Sequence, residues 1–369
     1  MIQEAMYTND QQVLKVSVEK CEVLLKSNEI LNFPRIIELE GNQLVLAYGR
    51  GKHGGDETRP VAISNDFGQT WVDAPSDFPM ADNVETSGIM GYLRDGTIAY
   101  IDSLPVGQVN KGRVADPTFR IRRFSKKAEL LEDTTFKVLN LPWKTVLSEY
   151  EVYGTLLELE NGDFLTAFNA RVGGTSASPE PPFFDTAFIV RSTDKGKTFE
   201  HVWTFSTEIY GKPLGDEGFT EPDVEVLANG DILCIMRTGG SSSPMYQSRS
   251  TDGGRTWSDP VSVGWPGVKP HLRLLSNGVL ACSSGRGLYG HPQITHAMFS
   301  IDGTGKVWEY PFAFHTGPGC SYTSNMERDG KFYVVYSHSS FTKPAGTYGL
   351  PYHSIKWVVL DVAREADQK

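Results

Sequence analysis

Six times along the chain a run of alternating apolar residues meets a tight Asn-Gly or Asp-Gly type turn and resumes as a second apolar run. The copies are IIELEGNQLVLAYGR, MGYLRDGTIAYID, LLELENGDFLTAFNAR, VEVLANGDILCIMRT, LRLLSNGVLACSSGR and SNMERDGKFYVVYSH. Apolar alternation at a period of two around such a turn specifies a β-hairpin, because successive side chains of a strand point to opposite faces. The copies recur roughly every 50 to 70 residues, a spacing that fits a repeated unit of four short strands.

A shorter repeat, Ser-x-Asp-x-Gly-x-Thr-Trp, follows several hairpins. It reads SNDFGQTW at Ser64 to Trp71, STDKGKTF at Ser192 to Phe199 and STDGGRTW at Ser250 to Trp257. SIDGTGKVW, Ser300 to Trp308, is a copy with one extra residue. Asp and Gly make the turn, the carboxylate accepts backbone N–H bonds, and the aromatic ring pins the turn to the next strand. These aspartates are therefore structural. Each unit is expected to run hairpin, third strand (TAFIVRS, MYQSRS), aspartate turn, fourth strand. RIRRFSKKAELL, in the second unit, has the third strand without the turn.

The expected fold is all-β: a six-bladed β-propeller of four-stranded antiparallel blades, one domain over residues 1–369. CEVLLK near the N-terminus would complete the last blade beside SIKWVVLDV.

Net charge of −10 and a pI near 5.4 oppose binding to a nucleic-acid polyanion. No apolar run approaches the roughly 18 residues of a membrane span. The polar start MIQEAMYTNDQQ lacks the parts of a secretory signal, so a cytoplasmic location is expected. Cys21, Cys234, Cys282 and Cys320 are scattered without ligand spacing, which argues against zinc and for buried free thiols.

In a propeller, ligands bind at one end, where first strands begin and second strands end. Before first strands stand Arg35, Glu85, Glu149, Glu151, Glu221, Lys269, His271 and Tyr322. After second strands stand Arg50, Arg171, Arg237 and Arg286. An acidic chain that gathers arginines at one rim is suited to an anionic ligand.

The aspartate turns resemble the Asp-boxes of sialidases (neuraminidases), and the likeness covers all six units. Arg35 in FPRI, Glu221 with Arg237 sixteen residues on, and Tyr322 ahead of SNMERDGKFYVVYS carry it further. The resemblance implies a retaining exo-α-sialidase that needs no cofactor and takes a glycan or small sugar as substrate. Arg35, Arg237 and Arg286 would grip the sugar carboxylate, Tyr322 would attack the anomeric carbon, and Glu221 would take its proton. The acid/base would come from GRGKHGGDETRP, as Asp56 or Glu57.

The chain departs from the family pattern in three places. The first motif reads FPRII in place of Arg-Ile-Pro, the loop with Asp56 is short, and Arg286 stands early, with His291 and Gln293 in the expected neighbourhood. Two alternatives remain open: a two-carboxylate glycosidase of the same fold, of arabinan type, with Glu151 and Glu221 as the pair, and a glycan-binding propeller without chemistry. GGTSASPEPPFFDT, residues 173 to 186, is expected to overhang the pocket.

Overall fold

The computed structural model describes residues 3–9, 12–52, 56–81, 84, 88–103, 118–143, 150–171, 185–205, 208–209, 212–213, 218–239, 243–286, 294–317, 322–339, 345 and 350–366. All regular structure among them is β-strand, and the chain is all-β. All six hairpins form: in each, the two apolar runs are neighbouring strands of one sheet.

Residues group into two units. The first comprises Met1–Thr86, Leu227–Asn229 and Pro270–Lys369, and the second Ser87–Val226 and Gly230–Lys269.

Within the first unit, Leu31–Glu38, Leu44–Arg50, Val61–Ser64 and Val72–Asp73 form a four-stranded sheet. A second sheet of four joins Leu280–Gly285, Ile294–Ser300 and Phe312–Thr316 to Val268–Leu274, a strand whose first two residues belong to the second unit. A five-stranded sheet runs in the order Glu4–Thr8, Gln12–Ser27, His353–Ala366, Lys331–His338 and Thr323–Arg328, with Cys21 opposite Val358. One cluster of its core packs Phe299, Phe312, Phe332 and Val358, and another packs Tyr48, Met326, Val335 and Trp357.

In the second unit Thr220–Val226, Ile232–Arg237, Pro244–Ser250 and Val261–Pro266 form one sheet of four. The expected second and third blades are not separate sheets. They join into nine strands, because Leu130–Leu139 is ten residues long and its last residues pair in parallel with Phe199–Thr204. The long strand replaces two open edges with a ladder, which removes unpaired backbone groups. Aromatic rings fill this unit, with Phe119, Phe136, Phe168, Phe188 and Phe199 in one cluster.

Second strands are more buried than a one-sided alternation requires. Phe164–Arg171 is buried at every residue but the last, and Ile232–Arg237 likewise. Both faces of these strands are covered, as in stacked sheets, and polar residues there need internal partners.

The aspartate turns form as a bonded unit. At Ser250 to Trp257, Asp252 Oδ1 accepts from Thr256 N at 2.9 Å and Oδ2 from Thr256 Oγ1 at 2.7 Å, while Ser250 Oγ accepts from Gly254 N at 2.8 Å. Trp257 Nε1 closes the turn on Gly254 O. Partial burial opposes the charge on Asp252, but these bonds prevail and bring its carboxyl down to about 2. The turns at Asp66 and Asp194 repeat the pattern. In the second expected blade a serine turn substitutes: Ser125 Oγ accepts from Lys127 N and Glu129 N, with Ala128 at φ 64°.

Gly254 has φ +85°, and a Cβ there would lie 2.1 Å from Leu165 Cδ1. Gly254→Ala is therefore expected to destabilise the protein by about 1–3 kcal/mol, from left-handed strain plus a clash with a fully buried leucine. Urea unfolding checks this, and an unchanged midpoint would contradict the packing described.

Free thiols are present at Cys21, Cys234 and Cys282. The expectation that they are buried holds for the last two and fails for Cys21, which is exposed on an outer strand and has its Sγ 3.3 Å from Tyr336 Oη. Cys320 lies outside the described residues.

Candidate active site

Three strand starts share one local device. Phe33, Glu221 and Lys269 each precede a proline and have φ of 48°, 49° and 42°. Non-glycine residues seldom take this region, and it costs roughly 1–3 kcal/mol per residue unless the surroundings enforce it. At the first two the ladder slips, between Asn32 and Arg35 and between Thr220 and Asp223. A bulge of this kind turns a side chain out of the regular alternation.

In the second unit the device presents Glu221, whose side chain is 3% exposed. Its Oε1 accepts from Arg237 Nη1 at 2.8 Å and its Oε2 from Lys269 N at 2.6 Å. Arg237 is held in turn by Nε donating to Gly239 O at 2.9 Å. The two ends of the VEVLANGDILCIMRT hairpin thus meet in an ion pair. Breaking it by removing one partner would leave a buried charge uncompensated.

A second carboxyl group belongs to the same cluster. Glu151 is the cross-strand partner of Asn169. Asn169 Nδ2 donates to Glu151 Oε2 at 3.0 Å and to Thr220 Oγ1 at 3.3 Å, and Asn169 Oδ1 accepts from Glu221 N at 3.2 Å. Asn169 is fully buried. The strand carrying Glu151 can approach because Gly154, at φ +86°, has no side chain. A Cβ there would lie 2.6 Å from Asp223 Oδ1 and 2.7 Å from Pro222 O.

Burial is the main cause raising the Glu151 carboxyl above its usual range. The Asn169 hydrogen bond opposes it, the charges of Asp185 and Glu221 add to it, and Arg171 opposes it. Arg171 Nη2 donates to Asp185 Oδ2 at 2.9 Å, the residue directly across the ladder. One amide therefore links the Glu151 carboxyl group to the backbone N–H of Glu221, and the two side chains sit in unlike settings: the Glu221 carboxylate bound by a guanidinium and a backbone N–H, Glu151 half-buried among negative neighbours.

In the first unit the same device brings Phe33 edge-on against Tyr322, with ring centroids 4.7 Å apart. Arg35, two residues on, is 4% exposed and sits opposite Ala47. Arg286 follows Leu280–Gly285 at φ 51°. Asp56 is exposed, and its Oδ1 accepts from Lys52 N at 3.0 Å, a bond that holds its carboxyl below the usual range. Glu57 is ion-paired with Arg59 at 3.1 Å. His271 serves the framework, since its Nδ1 accepts from Asn325 N at 3.0 Å. Glu85, Glu149, His291, Gln293 and residues 173–184 of the proline-rich insertion lie outside the described residues.

Asn169, Thr220 and Asp185 escaped the sequence reading. The signal for Asn169 was a lone amide within the largely apolar FLTAFNAR.

Residues 122–334, more than half of the sequence, match the family described as BNR repeat-like domain. The chain belongs to that family. Among curated proteins none matches this BNR repeat-like chain in sequence. Solved structures share its fold. A protein of unknown function from Dyadobacter fermentans DSM 18053 superposes with a TM-score of 0.69 at 18% identity, over 94% of this chain and 99% of that one. The Hadza microbial sialidase Hz136 does so at 0.59 and 16%, over 89% and 65%. Trypanosoma rangeli sialidase gives 0.57 and 13%, over 90% and 55%, and that enzyme is also solved in complex with sialic acid. The BNR repeat-like chain thus spans from about half to two thirds of the length of these two sialidases.

Proposed function

We propose that this BNR repeat-like protein is an exo-acting glycoside hydrolase on a six-bladed propeller, with Glu151 and Glu221 as its working carboxyl groups. The observation that carries this reading is the Asn169 bridge from the Glu151 carboxyl group to the backbone N–H of Glu221, whose own carboxylate is held by Arg237 and Lys269 N. Hydrolysis of a glycosidic bond needs one carboxylic acid to protonate the leaving oxygen and one carboxylate facing the positive charge that develops on the sugar ring. Glu151, half-buried and kept protonated to higher pH than an ordinary glutamate, suits the first task. Glu221, oriented by Arg237 and by Lys269 N, suits the second. The likeness to sialidases supports a terminal sugar as substrate, and the arginines favour an acidic one.

A second reading, an exo-α-sialidase with Tyr322 as nucleophile, Arg35 on the sugar carboxylate and Asp56 as acid/base, is favoured by the burial of Arg35 and the packing of Tyr322 on the strained Phe33. Initial rates on 4-methylumbelliferyl α-N-acetylneuraminide and α-L-arabinofuranoside, for wild type, Glu151→Gln and Tyr322→Phe, separate the two. The carboxylate reading expects Glu151→Gln to lose at least 100-fold while Tyr322→Phe stays within a few-fold. The reverse pattern establishes the tyrosine mechanism. Saturable sugar binding without product from wild type would make the protein a glycan-binding propeller.

A further inference from the structure

We propose that Asn169 is a positioning residue that fixes the proton of Glu151 on Oε1 and so aims the acid. This deepens the reading above and rests on Glu151 being the proton donor.

The argument begins with a donor that cannot be reversed. A backbone N–H only donates, and Glu221 N lies 3.2 Å from Asn169 Oδ1, so the oxygen of the amide faces Glu221. The NH2 end must then face Glu151 Oε2 at 3.0 Å and Thr220 Oγ1 at 3.3 Å, which occupies both of its hydrogens. Of the two oxygens of a carboxylic acid the carbonyl oxygen is the stronger acceptor, so the oxygen that takes the amide N–H is favoured as the carbonyl. When Glu151 is protonated, its hydrogen therefore favours Oε1. Asn169 is fully buried and paired on both sides with neighbouring strands, so the amide cannot swing away.

The same hydrogen bond also moderates Glu151. The charged groups facing this carboxyl are Asp185 and Glu221, which hold its proton on, and Arg171, which with Asn169 draws it off. Removing Asn169 removes one of the two restraints. The proton is then held to higher pH but is free to occupy either oxygen.

The test is the pH dependence of kcat/KM for wild type, Asn169→Ala and Asn169→Asp, on the aryl glycoside that wild type turns over best. Activity that requires protonated Glu151 is lost as pH rises through its pKa, so in Asn169→Ala the basic limb moves to higher pH. Meanwhile kcat falls roughly 10- to 100-fold from misplacement of the acid, with KM changed less. Asn169→Asp keeps an oxygen for Glu221 N, loses the donor to Glu151, and is expected to shift the limb in the same direction. A folded variant with an unmoved basic limb overturns the inference.

Should both variants fail to fold, wild type still decides. The infrared carboxylic C=O band that disappears in Glu151→Gln is expected below the frequency of a free acid, and a free-acid frequency overturns the proposal. If Glu151→Gln retains wild-type turnover, the acid assignment itself fails. If it is inactive while the limb in Asn169→Ala stays put, only the role of Asn169 fails.

Discussion

Glu151→Gln is expected to lower kcat/KM by about 10²–10⁴, the range that general acid catalysis supplies. The loss should depend on the leaving group. A glycoside with a poorly acidic alcohol needs its oxygen protonated as the bond breaks and should suffer most, whereas a dinitrophenyl glycoside, whose leaving group departs as an anion, should suffer least. Glu221→Gln is expected to be equally damaging for both substrates, because the charge it supplies is required whichever group leaves. The substitution also strands Arg237, whose Nη1 is bound to Glu221 Oε1 at 2.8 Å. Circular dichroism should accompany the kinetics to show that the variant is folded. Equal sensitivity of Glu151→Gln to both leaving groups would contradict its assignment as the acid.

The largest effect on stability is expected at a different arginine. Arg122 lies on Thr118–Phe124, its side chain 4% exposed, and its Nη1 donates to Asp102 Oδ2 at 3.0 Å. Pairing offsets the desolvation of the two charges, so deleting Arg122 leaves Asp102, whose side chain is only 14% exposed, without its ion-pair partner. Arg122→Ala is expected to cost about 3–5 kcal/mol in urea unfolding. The pair Arg122→Met and Asp102→Leu together should be much milder, since apolar groups of similar volume need no counter-charge. A cycle through both single variants would show strong coupling. A loss below about 1 kcal/mol for Arg122→Ala would mean that Asp102 is adequately solvated.

These two arginines show what the sequence reveals and what it conceals. The hairpins and aspartate turns were legible because each is local: a period-two pattern around Asn-Gly, or a carboxylate that bonds residues only a few positions away. Glu221 and Arg237 were legible as a pair because one hairpin carries both. Arg122, in RIRRF, was legible only as part of a third strand, since its partner Asp102 belongs to the preceding strand and burial has no local signature there. The fusion of two expected blades into nine strands depends on the length of Leu130–Leu139, and strand ends are poorly marked where no turn residue punctuates them. Asn169 was hidden for a related reason. Its importance comes from Glu151 and Glu221, 18 and 52 positions away, and only the folded ladder brings them to one amide. The strained starts at Phe33, Glu221 and Lys269 were written in the sequence as three X-Pro pairs, yet proline restrains its predecessor without dictating a positive φ.

The central claim is that Glu151 delivers the proton and Glu221 supplies the carboxylate. Its most direct test is the pH profile of kcat/KM for wild type and Glu151→Gln on one glycoside whose leaving group is poorly acidic and so needs protonation. The raised Glu151 carboxyl predicts a bell for wild type whose basic limb lies above the ordinary glutamate range and disappears in Glu151→Gln, leaving the acid limb in place. A basic limb that persists unchanged in the variant would contradict the assignment and move the search for the acid to Asp56 and Glu57.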